Sequence, residues 1–149
     1  MKLNFQENGR PVAKVVNLDA LIPRADFAIS DLSGGSADNA DHIKMSELSN
    51  EFFGPTLRKP DFQRETSNWS PKKVHEFIRS FLDRDLIPAV ILWNAGEYNF
   101  VIDGAHRLSA LIAYMNDDYG DKEQSIGYFR GKIPPEQVDI AEYLSLIHI

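Results

Sequence analysis

The stretch formed by residues 98–115 constrains the fold most strongly, because its apolar spacing changes once, at a glycine. Before Asp103 and Gly104, apolar residues recur at every second position, as in a half-buried strand. After Gly104 they recur every three or four positions, as along one face of a helix. The stretch therefore predicts a strand, a tight turn and a helix. The apolar positions are Tyr98, Phe100 and Ile102 in the strand, and Leu108, Leu111, Ile112 and Met115 in the helix.

A junction of this kind can bind an anion. The first N–H groups of a helix have no intrahelical partner and lie at the positive end of the helix dipole, and Gly104 permits a close backbone approach. Arg107, in the predicted first turn, adds a planar fork of donors that suits phosphate or carboxylate. Asp103 can cap the helix or hold a metal ion or a water, and His106 can supply a hydrogen bond or a proton. The alternative interpretation is that Asp-Gly is a common turn before a helix and that the arginine is a solvated surface residue.

Length and composition exclude several classes of protein. A chain of 149 residues with 43% hydrophobic content predicts one domain with a real core. No stretch approaches the roughly 20 apolar residues of a membrane span, and the first residues lack a signal-peptide apolar region, so we expect a cytoplasmic protein. The absence of cysteine excludes disulfides, thiolate metal sites and cysteine nucleophiles. The four histidines show no metal-ligand spacing, which argues against zinc chemistry.

The charge is acidic overall but uneven. A formal net charge of -6 argues against a protein that binds DNA over its whole surface. Residues 58–84, however, carry seven basic and four acidic side chains, a local charge of +3. Lys72, Lys73 and Arg79 in this region are candidate contacts to a DNA backbone. The alternative is a solvated helix surface without a nucleic-acid partner.

The N-terminal third gives weaker signals. Residues 12–21 are β-branched and alternating, which predicts a first strand closed by Pro23. Residues 31–41 are small, polar and glycine-containing, which predicts a flexible surface loop rather than a phosphate loop. Residues 43–45 predict a short strand, and Ser46 is a candidate cap for a brief helix after it.

The middle of the chain contains a well-marked helix. Residues 57–64 form an extended segment, which by itself predicts a connector with Phe62 in the core. Ser70 followed by a proline predicts a helix start, with Trp69 packed as a staple against the first turn. The apolar stripe of this predicted helix consists of Val74, Phe77, Ile78 and Phe81.

Two strands connect this helix to the stretch described first. Residues 89–93 are continuously apolar, which predicts a strand covered on both faces, and residues 94–97 predict a hairpin turn. Residues 70–115 thus read as helix, strand, hairpin, strand and helix. This order predicts a small α+β domain with a mixed sheet and packed helices, and places the Asp103 turn at the end of a central strand.

The signal weakens after Gly120. Pro134 and Pro135 predict the opening of another helix. The last six residues, LSLIHI, match the translation of a transposase adapter commonly used in sequencing libraries, so we expect a truncated fragment whose native sequence ends near Tyr143. The predicted division is an N-terminal strand and loop (1–42), a core (43–119), the start of a truncated helical extension (120–143) and an adapter-derived tail (144–149).

Three stretches between residues 57 and 115 together resemble a known family. They contain a Pro-x-x-Gln-Arg segment, a tryptophan before a helix, an Ile-Pro before a strand, and an Asp-Gly-x-x-Arg sequence. In that order and spacing they resemble the N-terminal domain of GmrSD-type restriction systems, a member of the ParB/sulfiredoxin-like superfamily. The matching residues are Pro60, Gln63, Arg64, Trp69, Ile87, Pro88, Asp103, Gly104 and Arg107.

The resemblance implies a domain that binds and hydrolyses a nucleoside triphosphate, with Mg²⁺ as a candidate companion. Such domains are often joined to a nuclease domain in defence against phage or other foreign DNA. Ala105 and His106 stand where the family usually has two glutamines, and Ala105 has no side-chain hydrogen bond to offer, so binding is a firmer expectation than hydrolysis. The implied phosphate-binding residues are Gln63, Arg64, Gly104 and Arg107, and the implied catalytic residues are Asp103, His106 and Arg107.

A second resemblance leads to a different expectation. An Asp-Gly-x-His-Arg sequence is also similar to ParB-type partition proteins, which implies a non-hydrolysing module that senses a nucleotide or associates with DNA. Sulfiredoxin activity is excluded, because the chain has no cysteine to carry it.

Overall fold

A mixed sheet of four short strands organises the protein. The computed structural model describes residues 15–25, 48, 55–63, 66, 69–95 and 97–147. The strands are β1 (Arg24–Ala25), β2 (Leu57–Pro60), β3 (Ile91–Ala95) and β4 (Tyr98–Asp103), in the spatial order β1-β2-β4-β3. β1, β2 and β4 are parallel, and β3 is antiparallel to β4. β4 is therefore a central strand, as predicted.

Helices pack against this sheet and against one another. The described residues form α1 (Pro71–Leu82), α2 (Ala105–Asn116), α3 (Glu123–Tyr128) and α4 (Pro135–Ile147), with a 3₁₀ helix at Asp19–Leu21. The prediction of a small α+β domain with a mixed sheet is confirmed. No described helix is both long and apolar enough to cross a membrane.

α1 begins where the sequence predicts and carries the predicted apolar stripe. The Ser70 hydroxyl accepts a hydrogen bond from the Lys73 amide at 3.1 Å, and Pro71 occupies the first helical position, where its missing N–H costs nothing. Val74 and Ile78 are fully buried. The Trp69 ring lies edge-on to Phe77 in the second turn of the helix, with centroids 5.5 Å apart, and also lies beside Lys73 in the first turn.

The predicted strand, turn and helix of residues 98–115 are confirmed. β4 ends at Asp103, Gly104 is the N-cap, and α2 begins at Ala105. The six consecutive residues 108–113 are all buried, so α2 is enclosed on more than the one predicted face. Met115, at the end of the predicted stripe, is exposed instead.

The predicted first strand over residues 12–21 is wrong in its described part. Residues 15–18 form no strand, and Asp19–Leu21 is a 3₁₀ helix. The amides of Val16 and Leu18 donate to carbonyls of a loop, at Trp69 and Thr66, and not to a neighbouring strand. The alternation along residues 12–21 therefore reflects a segment that lies against a loop, and the strand itself begins after Pro23, at Arg24.

The strand predicted over residues 89–93 is confirmed from Ile91 onward, but the prediction that it is covered on both faces is wrong. β3 begins at Ile91, and in the described part of the sheet it pairs only with β4, so it is an edge strand. Ile91 is exposed. The hairpin prediction is confirmed by the pairing of Ala95 with Tyr98, which encloses two residues.

Residues 57–64 differ from the predicted connector. Leu57–Pro60 forms β2, which pairs with both β1 and β4. Phe62 is 71% exposed and does not fill the core. The predicted loop at 31–41, the strand at 43–45 and the Ser46 cap lie outside the described residues.

The prediction of a helix opening at Pro134 and Pro135 is confirmed by α4. This helix runs to Ile147, with Leu144 fully buried and the Ser145 hydroxyl donating to the Asp117 carboxylate at 2.6 Å. The sequence analysis did not predict α3, a helix of six residues.

Candidate functional site

The bend between β4 and α2 requires glycine for two separate reasons. Gly104 has φ +102° and ψ 20°, a left-handed conformation that L side chains rarely adopt. A Cβ atom there would also lie 2.9 Å from Val90 Cγ2 and 3.1 Å from Arg107 Nη2. The backbone of Gly104 is thus closely approached by a side chain from its own helix.

The Arg107 side chain folds back over this bend. Its Nη2 donates to the Ala89 carbonyl at 3.1 Å and lies 3.4 Å from the Asp103 carboxylate. The side chain is only 15% exposed, while that of Asp103 is 65% exposed. Arg107 Nε is enclosed and has no hydrogen-bond partner among the described residues. A guanidinium is therefore held beside the bend with part of its donor capacity unused.

The first turn of α2 adds backbone donors at the same place. The first intrahelical bond described for α2 runs from the Leu108 amide to the Gly104 carbonyl at 2.9 Å, so the amides of residues 105–107 have no intrahelical acceptor. None of the described side chains caps this end of the helix. The helix dipole and the Arg107 charge both favour an anion here.

Gln63 approaches the bend from the loop after β2. Its amide nitrogen donates to the carbonyls of Val101 at 2.6 Å and Ile102 at 2.9 Å, the last positions of β4 before Asp103. β2 has already ended at Pro60, so the glutamine side chain takes over the pairing that a longer strand would have provided. Arg64, the next residue, lies outside the described part of the chain.

His106 faces a neighbouring ring. Its imidazole stacks on the Trp69 indole, with centroids 5.5 Å apart and planes 21° from parallel. Burial, followed by the positive charges of Lys73 and Lys59, lowers the pKa of His106 below its ordinary value. Both effects favour the uncharged form of the imidazole. Its Nε2 is enclosed and has no hydrogen-bond partner within the described ranges.

A buried ion pair behind the site escaped the sequence analysis. Lys59 is one of the seven basic residues of the 58–84 region, yet it is fully buried. Its ammonium contacts the Asp19 carboxylate, the Asp19 carbonyl at 2.9 Å and the Thr66 hydroxyl at 3.2 Å. Burial alone would raise the pKa of Asp19, but hydrogen bonds from Lys59 and the Thr66 amide lower it. The sequence pattern that could have indicated the position of Lys59 is the two-residue period of a strand, which puts Lys59 on the same face as Leu57.

The candidate DNA contacts do not form a uniformly positive face. Lys72 lies 3.7 Å from Glu76, and Arg79 lies 3.7 Å from Asp83, both at the i,i+4 spacing of helix ion pairs. The Lys73 ammonium lies 4.9 Å from the centroid of the Trp69 ring. The cations of α1 are therefore largely balanced by acids of the same helix.

The described residues contain no group of three or more histidine, cysteine, aspartate or glutamate side chains that could hold a metal ion. Asp103 is the carboxylate at the bend. A Mg²⁺ ion that accompanies a nucleotide needs only one or two protein carboxylates, because the phosphates and waters complete its shell. The donor set at the bend therefore fits a nucleotide-bound Mg²⁺ and does not fit a metal held by protein alone.

A comparison with family models identifies the family of the chain. A family model described as "GmrSD restriction endonuclease, N-terminal domain" matches residues 45–145. The chain belongs to this family. The match includes the bend, α1, Gln63 and Trp69, and it extends on both sides of the residues that carry the resemblance in the sequence. No curated protein and no solved structure matches the chain significantly.

Membership in the GmrSD N-terminal family indicates a restriction-type defence protein. The described segment at residues 15–25 precedes the matched region but packs against it through Val16, Leu18, Leu21 and Ile22 in the core. Asp19 and Arg24 belong to this segment as well.

Proposed function

We propose that this GmrSD N-terminal domain binds a nucleoside triphosphate at the bend between β4 and α2 and hydrolyses it. The observation that carries the proposal is the Arg107 guanidinium, held over the glycine bend at the start of α2, where none of the described side chains caps the helix. Two independent sources of positive potential meet there, and a phosphate group is the biological anion that uses both.

The proposed binding step exchanges one anion for another. The Asp103 carboxylate lies beside Arg107 at 3.4 Å, a long and mostly exposed contact that a phosphate can displace. The phosphate accepts hydrogen bonds from the amides of residues 105–107 and from the guanidinium. Asp103 is then free to orient a water or to join the shell of Mg²⁺, which supplies charge neutralisation when it is bound. Gln63, bonded to β4 carbonyls, fixes the strand end that carries Asp103.

Phosphoanhydride hydrolysis requires positioning and charge neutralisation more than a strong nucleophile. Arg107 and the helix end supply the charge, and Asp103 orients the attacking water. His106 contributes a neutral imidazole to the wall of the site. In the complete protein, we propose that turnover serves an attached or associated nuclease acting on foreign DNA in the cytoplasm, as the restriction family suggests.

A second function is supported by the orientation of His106. Its Nε2 is enclosed and its ring is stacked on Trp69, and among the described residues no hydrogen bond links the imidazole to Asp103 or Arg107. Ala105 offers no side-chain donor either. The alternative proposal is a ParB-like module that binds the nucleotide as a signal without hydrolysing it.

Phosphate release separates the two proposals. The full chain is incubated with each of the four ribonucleoside triphosphates and Mg²⁺, and inorganic phosphate is measured alongside nucleotide binding. Turnover that is lost in Asp103→Asn with binding retained supports hydrolysis. Binding without turnover supports the sensing module. A chain that binds none of the four nucleotides contradicts both.

A further inference from the structure

The connection between β2 and α1, here called the 61–70 loop and described at residues 61–63, 66, 69 and 70, carries two parts of the candidate site. Gln63 in this loop bonds to the end of β4, and Trp69 stacks on His106. Any side chain that fixes this loop also fixes those two contacts.

Arg24 holds the beginning of the loop. Its Nη1 donates to the carbonyls of Gln63 at 2.6 Å, Asp61 at 3.3 Å and Pro60 at 3.4 Å. Its Nη2 donates to the Asp19 carboxylate at 3.3 Å. One guanidinium thus bonds three carbonyl acceptors, those of Pro60, Asp61 and Gln63, while its other nitrogen is anchored, a geometry that the planar fork of arginine permits and an ammonium does not.

Asp19 holds the middle of the loop. One carboxylate oxygen, Oδ1, accepts hydrogen bonds from Arg24, from Lys59 and from the backbone amide of Thr66 at 3.0 Å. Lys59 in turn donates to the Thr66 hydroxyl. Because Lys59 and Thr66 are both buried, this arrangement is fixed by the cost of leaving a charge or a polar group unpaired.

Backbone bonds from the same N-terminal segment hold the end of the loop. The Val16 amide donates to the Trp69 carbonyl at 2.8 Å, and the Leu18 amide donates to the Thr66 carbonyl at 2.9 Å. The loop is therefore anchored at its beginning, middle and end by residues 16–24. All of these residues precede the region that the family model matches.

We propose that Arg24 and Asp19 are positioning residues of the nucleotide site, acting through the 61–70 loop on Gln63 and Trp69. The proposal rests on the proposed function, because it assigns these residues a part in nucleotide binding. It also extends the site beyond the family region, to a segment at least 20 positions earlier in the chain.

Arg24→Lys tests the proposal in the full chain. The variant keeps the positive charge beside Asp19 and leaves the Asp19–Lys59 pair intact, but it cannot gather three carbonyls. We expect its affinity for the tightest-binding ribonucleoside triphosphate to fall by roughly 10-fold, within the ~100-fold loss that a misplacement of about 1 Å can cause. The matched control is Arg130→Lys, at an exposed residue whose side chain makes no hydrogen bond or ion pair within the described ranges.

A spectroscopic measurement separates positioning from general destabilisation. The chain has two tryptophans, so Trp93→Phe leaves Trp69 as the sole emitter. In that background, at a temperature where circular dichroism shows a folded protein, we expect Arg24→Lys to increase quenching of Trp69 by acrylamide. Thr66→Val, which removes one acceptor of Lys59 at nearly constant volume, serves as a second variant should Arg24→Lys not fold.

The outcomes are distinguishable. A wild-type chain that binds no nucleotide overturns the proposed function. A wild-type chain that binds, with a folded variant of unchanged affinity and unchanged Trp69 quenching, overturns the positioning proposal alone. Loss of affinity together with increased quenching supports it.

Discussion

At the scale of single residues, Gly104 determines whether the site can form. We expect Gly104→Ala to lower the free energy of unfolding, because the left-handed conformation alone costs an L residue about 1–2 kcal/mol. The contacts with Val90 and Arg107 add to that cost. Urea unfolding measures the difference.

Gly127→Ala is the matched control for Gly104→Ala. Gly127 lies within α3, and a Cβ atom there would meet nothing within 4 Å. Alanine is the better helix former, by about 0.5–1 kcal/mol, so this variant should be at least as stable as the wild type. Equal stability of the two variants would contradict the description of the bend.

His106 makes stability depend on pH in a defined direction. Burial, with Lys73 and Lys59 nearby, lowers the pKa of His106 from 6.5, so the unfolded chain binds more protons than the folded one just below that pH. The stability associated with the uncharged imidazole is fully present above about pH 6.5, and it is lost as the pH falls through the pKa of His106 in the folded state. Urea unfolding at several pH values should show this decline in the wild type and a smaller one in His106→Gln. Identical slopes for the two proteins would contradict the account.

The structural role of a residue could be predicted from the sequence where that role depends on neighbouring positions in the chain. Ser70 as a cap, Gly104 as a bend and Arg107 beside it each follow from neighbours within a few positions. The two-residue period places Lys59 on the face of Leu57, but the burial of its charge could not be predicted, because it depends on Asp19, 40 residues earlier. From sequence alone a lysine is predicted to be exposed to solvent, because its acidic partner is not known.

At the scale of elements, one side chain hydrogen-bonds to the end of the central strand. Gln63 supplies two hydrogen bonds to β4 where β2 has ended. We expect Gln63→Glu to destabilise the fold more than Gln63→Ala, because a carboxylate places acceptors against the Val101 and Ile102 carbonyls and can donate to neither. Each lost bond is worth about 0.5–1.5 kcal/mol, and facing acceptors add repulsion. Urea unfolding of both variants provides the comparison, and a Gln63→Glu variant as stable as the wild type would contradict it.

Helices and strands with a clear apolar period were predicted from the sequence. The two-residue strand β1 and the edge position of β3 were not. α1, β4 and α2 follow from spacing within their own sequences. β1 has only two residues, and its strand character depends on pairing with β2, more than 30 residues later. The apolar run before Trp93 indicates a strand but does not reveal that β3 is at an edge, because strand order depends on distant parts of the chain.

At the scale of the whole molecule, charge distribution bears on the DNA alternative. Two of the α1 cations, Lys72 and Arg79, are paired with the acids Glu76 and Asp83, and the net charge is -6. We expect the chain alone to bind a DNA duplex no more tightly than the ~10⁻⁴–10⁻⁶ M typical of non-specific contacts at physiological salt. Fluorescence anisotropy with a labelled duplex measures this affinity. Tight binding that weakens steeply with salt, and is lost in Lys72→Gln with Arg79→Gln, would favour the DNA-binding alternative.

Calorimetry measures how much Arg107 contributes to nucleotide binding at the bend. The full chain and its Arg107→Ala variant are titrated with the four ribonucleoside triphosphates in the presence of Mg²⁺, with Arg130→Ala as the charge-matched control and circular dichroism to verify folding. A lost charge-assisted contact is worth about 1.5–3 kcal/mol, so the account predicts an affinity roughly 10- to 100-fold weaker for Arg107→Ala and unchanged for Arg130→Ala. A folded Arg107→Ala variant that binds nucleotide as tightly as the wild type would contradict it.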